Sequence, residues 1–423
     1  MLAPWEPLAN RRRGSEVRGR NTATNSRKPR PLRFVRSATS NVRGFLDCGY
    51  REAALNSVHN HPIRVDRYRV VRGGHLTISV IVPCRNEQDH IRAFLDSVLG
   101  QELEPDWQME VLVADGFSDD GTREILRQYS ASAGTVRLID NPGRIVSTGL
   151  NAAIAAARGD IIVRMDVHTS YARDYVRECI RALQQSGADN VGGPWVAQGQ
   201  GKVGKAIAAA FQTPLCGGRA HDPQYEGEVD TVYLGCWPRA VFERVGLFDP
   251  ELVRNQDDEL NFRLRRMGGR MWQSPRVRSS YTPRSSVGGL FRQYVQYGYW
   301  KVAVIRKHKA LAAWRHLAPA LLVSSVLAGV LLILIAALQG AGAAATTIAG
   351  LLAVEISVYG AACVAAAIRC TRALDLAALV MVPGVIAVYH FAYGLGFLAG
   401  ALDSAWPRSR KAAPARLFSE LTR

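Results

Sequence analysis

Residues 77–87 read TISVIVPCRNE and residues 109–115 read MEVLVAD, with VRLID following at 136–140 and DIIVRMD at 160–166. All four are short runs rich in β-branched residues, and helical patterns such as HIRAFLDSVL at 90–99 separate them. Strands alternating with helices build βαβ units, so the expected fold is α/β with a doubly wound, mostly parallel sheet. In open sheets of this kind ligands bind beyond the carboxyl ends of the strands. The segments just past these strand ends are where chemistry is expected.

On either side of this core the composition changes. The chain has 423 residues and a formal net charge of +17, and its first 76 residues carry 16 Lys and Arg against 5 Asp and Glu. Residues 1–75 have no sustained helical or strand period and no recognisable nucleic-acid motif, so they read as a basic leader and no nucleic-acid partner is expected. Attraction to an anionic membrane surface is their second reading. No apolar stretch of roughly 7–15 residues follows Arg11-Arg12-Arg13, which excludes a secretory signal there. The seven cysteines are scattered without a C-x-x-C pair, suggesting neither a disulfide framework nor a zinc site.

Downstream, Gly-rich loops and short strands such as NVGGPW (190–195) and DTVYLGCW (230–237) complete one domain over 76–285. A helix is expected over 286–310, where Tyr294, Tyr297, Tyr299 and Trp300 precede Arg306, Lys307 and Lys309. Aromatic amphipathic helices with a basic end lie at bilayer interfaces. Region 311–405 then holds apolar stretches at 317–338, 346–368 and 374–402. Each is long enough to cross a hydrocarbon core of about 30 Å, which takes about 20 residues. Arg306, Lys307, Lys309 and Arg315 before the first stretch, and Arg369 and Arg372 after the second, are expected in the cytoplasm. A third crossing would strand Arg408, Arg410, Lys411 and Arg416 of the basic tail (406–423) outside, whereas a bend at Pro383-Gly384 would return them. The expectation is two to three spans in the inner membrane, with a cytoplasmic catalytic domain.

Four clusters carry chemistry. Pro83-Cys84-Arg85-Asn86-Glu87 ends the first strand with an exposed carboxylate suited to a base or ribose, and lacks the G-x-G-x-x-G of a dinucleotide cradle. Asp115 ends the second strand, positioned to accept from a pyrimidine N–H, while Asp119-Asp120-Gly121 reads as turn chemistry. Asp166-Val167-His168 ends the strand DIIVRMDVH; an extended chain would project both side chains to one side, as ligands for Mn²⁺ or Mg²⁺ on a pyrophosphate. The plainer alternative is an ion pair of Asp166 with Arg164 and a solvated His168. Asn255-Gln256-Asp257-Asp258-Glu259 opens a helix, where the macrodipole favours acids in any protein, and a carboxylate fixed in such a turn can also act as a general base. Gly193-Pro194-Trp195 and Gly235-Cys236-Trp237 are expected to shape the sugar and acceptor subsites, with a buried core tryptophan as the alternative for each.

In this order, VIVPCRNE (80–87), VLVADGFSDDGT (111–122), NPGRIVSTGLN (141–151), Asp166-Val167-His168 and RNQDDELNFRL (254–264) resemble the family-2 glycosyltransferases, inverting enzymes of GT-A fold. Within the family the chain is similar to membrane-anchored exopolysaccharide glucosyltransferases of the succinoglycan type. The resemblance spans about residues 77–300. It implies hexosyl transfer from a nucleotide sugar, UDP-linked, to a lipid-linked saccharide. Pro83, Glu87 and Asp115 would contact the nucleoside, Arg144 and Asn151 the ribose or diphosphate, and Asp166 with His168 a divalent metal. Asp257 matches the family's base, with Asp258 left open by Gln256 standing where the family has Glu. Gln296 and Trp300 occupy the place of its Gln-x-x-Arg-Trp, with Tyr299 for the Arg, and join Gly235 and Trp237 on the acceptor side. A polyprenyl-phosphate sugar synthase, with Arg284, Arg292 or Lys301 holding the lipid phosphate, is the neighbouring alternative. A non-catalytic nucleotide-binding membrane protein is the remote one.

Overall fold

The computed structural model describes residues 75–217, 222–311, 313–370, 375–405 and Phe418. The basic leader to residue 74, Arg372 and the basic residues of 406–423 lie outside the described residues. Strands β1 (Leu76–Cys84), β2 (Trp107–Asp115), β3 (Val136–Asp140), β4 (Ile161–Arg164), β5 (Thr169–Tyr171), β6 (Asn190–Gly193), β7 (Gly227–Glu228), β8 (Tyr233–Pro238), β9 (Met271–Gln273) and β10 (Ser279–Tyr281) form two sheets. The larger has the order β3-β2-β1-β4-β8-β6-β9-β7, and β10 pairs with β5 in the smaller. The expected parallel unit is β3-β2-β1-β4. Beyond it the sheet is mixed, because β8 runs antiparallel to both β4 and β6.

Helices α1 (Ile91–Leu99), α2 (Thr122–Ser132), α3 (Val146–Ala156), α4 (Tyr175–Ser186), α5 (Gly201–Phe211), α6 (Arg239–Val245) and α7 (Gln256–Arg266) accompany the strands. Both sheet faces are covered, which is why Val80, Ile81 and Val82 of β1 are consecutively apolar and all buried. Ile78, Val80 and Val82 face a cluster with Ile91, Leu95 and Leu126, while Ile81 turns to the other side with Leu112, Leu150, Trp237 and Leu260. Leu112 is fully buried, so Leu112→Ala would cost about 2–5 kcal/mol.

The register aligns the strand ends. Cys84 pairs with Asp115, and Asp115 with Asp140, so the loops after β1, β2 and β3 leave from one edge. β4 stops at Arg164, opposite Ile81. C-terminal to the sheet come α8 (Val287–His308), its start capped by the Ser286 hydroxyl accepting from the Gly289 N–H, then α9 (Ala318–Leu338), α10 (Gly342–Ile368) and α11 (Leu376–Ala405). Three helices, over Trp314–Leu338, Gly342–Ile368 and Leu376–Ala405, are long and apolar enough to cross a membrane. α11 continues through Pro383.

Candidate active site

The loops after β1 and β2 are stitched together. Asn86, held at φ 52°, donates its N–H to Ser118 Oγ at 2.7 Å and accepts from the Asp119 N–H at 3.0 Å. The Glu87 N–H reaches Thr122 Oγ1 at 2.7 Å, and that of Gln88 reaches Asp120 Oδ2 at 3.1 Å. Asp119 and Asp120 thus do the turn work read from the sequence. Asp115 is wholly buried; its carboxylate accepts from the Ser118 N–H (3.1 Å), the Ser118 hydroxyl and Arg123 Nη1 (2.9 Å). Pro83 is half-buried at the end of β1. Phe117, 40% exposed, lies under the guanidinium groups of Arg123 and Arg144 at 5.3 and 5.8 Å. Asn151 spends both amide atoms on the Phe248 backbone, donating to its carbonyl at 2.7 Å and accepting from its N–H at 2.9 Å. One turn earlier in α3, the Ser147 hydroxyl donates to the Leu252 carbonyl at 3.1 Å.

At the end of β4 the expectation of an extended strand through His168 is corrected. The chain leaves the strand after Arg164 and turns, the Thr169 N–H donating to the Asp166 carbonyl at 3.1 Å. Two-residue alternation therefore does not apply, and the side chains find different partners. Arg164, 5% accessible at its side chain, grips Asp166 with Nε and Nη2 at 2.8 and 2.9 Å and gives Nη1 to Asp257 Oδ1. The ion pair weighed as the plainer reading of Asp166 exists, and it extends to the acidic helix start. Burial works against the Arg164 charge, but Asp166 and Asp257 outweigh it, and the guanidinium stays protonated. His168 Nε2 instead meets the Glu87 carboxylate at 2.9 Å.

Asn255 enters α7 at φ 61° and donates its side-chain amide to the Tyr297 carbonyl at 2.8 Å, fixing the first turn against α8. Burial in the cleft, reinforced by Asp166 and Asp258 and opposed by Arg164, pushes the Asp257 carboxyl up to about 6. Its side chain is still 41% accessible, so this is a crowded, open cleft and not a sealed core. Oδ2 meets only Gln256 Nε2, at 3.4 Å, among the hydrogen bonds of this side chain. Asp258 differs: although burial raises its pKa, Lys301, 2.6 Å away and 5% accessible, more than offsets this and holds it low. Glu259 is fully buried, and Arg263, Lys307 and His308 hold it below the usual range against the opposing effect of burial.

The four residues expected on the acceptor side are all buried. Trp237, 2% accessible, packs on Phe242 and Phe248 in the core. Gly235 is buried at φ 124°, where a Cβ would come within 2.3 Å of the Trp237 ring; it makes room for that ring. Gln296, 1% accessible, accepts from Arg254 Nε at 3.1 Å, and the Trp300 indole N–H donates to the Phe418 carbonyl at 2.8 Å. The half-buried Trp195 stacks on Tyr233 at 5.7 Å, and the Tyr233 hydroxyl bonds Thr169 Oγ1 at 2.7 Å, three residues from Asp166. Sequence reasoning gave Arg164 and Lys301 no part in holding the acidic turn. The available signal was a charge inside a buried strand (DIIVRMD) and a lysine on the apolar face of an aromatic helix.

A mixed sheet with an accessible acidic turn beside it is a scaffold on which many chemistries occur, and it is the comparisons that name the class. The model of the family "Glycosyl transferase family 2" matches residues 79–244, and the chain belongs to that family and is a glycosyltransferase. Succinoglycan biosynthesis protein ExoA of Rhizobium meliloti is 33% identical over 260 residues, covering 60% of this chain and 78% of that protein. A Methanococcus voltae enzyme, dolichyl N-acetyl-alpha-D-glucosaminyl phosphate 3-beta-D-2,3-diacetamido-2,3-dideoxy-beta-D-glucuronosyltransferase, is 28% identical over 54% of this chain and 74% of its own length. Among solved structures, the mannosyltransferase PcManGT from Pyrobaculum calidifontis, in complex with GDP-Man and Mn²⁺, superposes with TM-score 0.49 at 19% identity, over 77% of this chain and 87% of that one.

Proposed function

We propose that this glycosyltransferase moves a hexose from a UDP-linked donor to a lipid-linked saccharide at the cytoplasmic face of the inner membrane, with inversion, in exopolysaccharide synthesis. The observation that carries the reading is Asp257, with a pKa lifted to about 6 and Oδ2 turned from its cation, beside the Arg164–Asp166 pair. The names of the relatives support the pathway class and the acceptor: one is a succinoglycan biosynthesis protein, the other a glucuronosyltransferase for a dolichyl-linked sugar phosphate. The apolar helices after α8 support membrane attachment.

In the proposed reaction Asp257 Oδ2 takes the proton of the acceptor hydroxyl as its oxygen bonds to the anomeric carbon. The bond from that carbon to the diphosphate breaks on the opposite face, and the nucleoside diphosphate leaves with the electron pair. One displacement inverts the configuration. Glu87 and Arg144 would line the nucleotide site, with the buried Asp115 holding Ser118 and Arg123 in place beneath it, and Trp195 with Tyr233 would form the wall for a sugar. Asp166 and His168, 31% and 48% accessible at their side chains, carry the oxygen and nitrogen donors that would hold a divalent cation in exchange for their present partners Arg164 and Glu87. Among the described residues no group of three or more His, Cys, Asp or Glu side chains is disposed to hold an ion by itself. Bound Mn²⁺ or Mg²⁺ would supply charge neutralisation for the leaving diphosphate. Lys301, one of the three cations that the lipid-phosphate alternative could use, is already paired with Asp258.

The test is turnover of a set of nucleotide sugars by the full chain in detergent with lipid-linked acceptors. A glycosidic product of inverted configuration is expected, abolished by chelator and restored by Mn²⁺ or Mg²⁺. A sugar phosphodiester product would replace this reading by the synthase, and full turnover in excess chelator would shift the leaving-group role to Arg and Lys side chains.

A further inference from the structure

Resting on the reading of membrane attachment, we infer that only the α9–α10 hairpin crosses the bilayer, and that α11 lies in the plane of the membrane interface with an apolar face on the lipid. Composition alone makes α11 a third span: it is 30 residues long, about 45 Å at about 1.5 Å per residue, more than the hydrocarbon thickness of about 30 Å. Its contacts place it elsewhere.

α11 is bound to the catalytic half along its whole length. At its start Asp375 faces Lys205 of α5 at 3.8 Å. In its middle Tyr389 packs on Phe211 and Tyr294 at 4.9 and 4.2 Å, and His390 Nε2 meets the Leu215 carbonyl at 3.0 Å. Further on, a Cβ on Gly298 of α8 would fall 2.0 Å from the Tyr393 carbonyl oxygen, and one on Gly396 2.0 Å from that of Val295, so the two backbones touch. Near its end Asp403 accepts from the Tyr299 hydroxyl at 2.6 Å. Beyond the helix, Phe418 stacks on Tyr299 at 4.0 Å, in a cluster with Leu252 beside the catalytic turn.

α8 cannot accompany α11 into hydrocarbon. It is tied to the catalytic domain through Asn255, Asp258 and Asp249, buries Gln293, Gln296 and Lys301 in doing so, and ends in Arg306, Lys307 and His308. Sinking these groups would cost several kcal/mol for each charge.

The hairpin meets α11 through its lower part: the Tyr359 hydroxyl of α10 reaches His390 Nδ1 at 2.8 Å and its ring packs on Phe391, and the other contacts lie at the two feet. At the first, a Cβ on Gly394 would fall 2.4 Å from the Pro319 carbonyl oxygen at the start of α9. At the second, Cys363, Ala366 and Ala367 at the end of α10 share a cluster with Val382, Val385 and Ile386. Between the feet and the tip, residues 324–335 and 342–362 include no buried position. A third span beside the hairpin would cover part of that length; a helix passing beneath both feet does not. The turn at 339–341 carries no charge, and Arg315 and Arg369 stand just outside the feet, as the positive-inside rule requires of two crossings. The bilayer that receives the hairpin is thereby brought against the outer face of α11, where Leu376, Val380, Leu395 and Leu402 are 75, 71, 40 and 73% exposed.

Reporter fusions of the full chain test this. Alkaline phosphatase inserted at Gly340 should be active, and after residue 423 inactive, whereas a fluorescent protein after residue 423 should fluoresce. Active phosphatase after residue 423 would mean a third crossing and overturn the inference while leaving membrane attachment intact. Inactive phosphatase at both sites, with release of the chain by alkaline washing, would overturn both. A re-entrant α11 also returns the tail, so nitroxide depth is measured in Val380→Cys, Leu395→Cys and Leu402→Cys in lipid nanodiscs, with labelled wild type as blank. One shared shallow depth is expected, and a middle label well below the other two overturns the in-plane arrangement.

Discussion

On the floor of the cleft two carboxylates, Asp166 and Asp257, share one guanidinium, that of Arg164. On the platform side of the same helix turn, Asp258 has Lys301, while Glu259 has Arg263, Lys307 and His308. The floor is left with an excess of negative charge and a carboxyl poised at about 6; the platform is neutral or positive, with its acids held low. In the proposed reaction, adjacent acids therefore divide into a proton acceptor and structural anchors. What divides them is the number of cations each must share, since burial raises the pKa of all three.

Exchanging single groups across that divide should break it unequally. Asp257→Asn keeps size and hydrogen bonding but removes proton acceptance, so kcat should fall by about 10²–10⁴ with donor Kd little changed. Near-normal kcat in this variant, with Asp258→Asn inactive, would reverse the assignment. Arg164→Gln frees both floor carboxylates and should lower kcat by roughly 10–10², the scale of a small misplacement. It should also move the acid limb of kcat/KM, expected near pH 6 in the wild type, to higher pH, because removing the cation makes the Asp257 proton harder to lose. An unmoved limb would make Arg164 merely structural.

On the platform the losses should appear as stability. Asp258→Asn leaves Lys301 buried without its carboxylate and should lower Tm by an amount corresponding to about 1–3 kcal/mol, with turnover reduced only slightly. Adding Lys301→Met should recover most of that Tm, since a buried ion pair replaced by apolar packing is often neutral. A double variant no better than the single would show that Asp258 does more than neutralise Lys301. The smallest effect is expected from Arg127→Gln, whose partner Glu124 and itself are both about 60% accessible; an exposed pair contributes little, and Tm should not move measurably.

The parallel half of the sheet was legible because β1 to β4 are short runs rich in β-branched residues separated by helical patterns, and three of the four motifs fell just past strand ends, the fourth opening α7. The turn after Arg164 was not legible: nothing in RMDVH distinguishes a strand that continues from one that stops. Trp195 and Trp237 each follow a Gly-x pair, yet Trp237 fills the core against nearby Phe242 and Phe248, while Trp195 stacks on Tyr233, a distant partner that its own neighbours in the chain do not announce. The same holds for Arg164, whose second carboxylate lies 93 positions downstream. For α11 hydropathy read correctly as apolar, but an apolar helix pressed between protein and lipid has the composition of one that crosses.

The hydrogen bonds from Ser147 and Asn151 to the loop before α7 join positions 105 and 97 residues apart. On the ribosome, β1 to β4 and α3 exist well before Phe248 and Leu252 are made, by roughly 5–20 s at about 5–20 residues per second. The loop that carries the proposed base can dock on Ser147 and Asn151 only once these later residues are made, so the acidic turn is completed late in synthesis. A nascent chain arrested between β6 and β8 would hold the first four strands and α3 in its sequence but neither the backbone partner of the Asn151 amide nor the acidic turn.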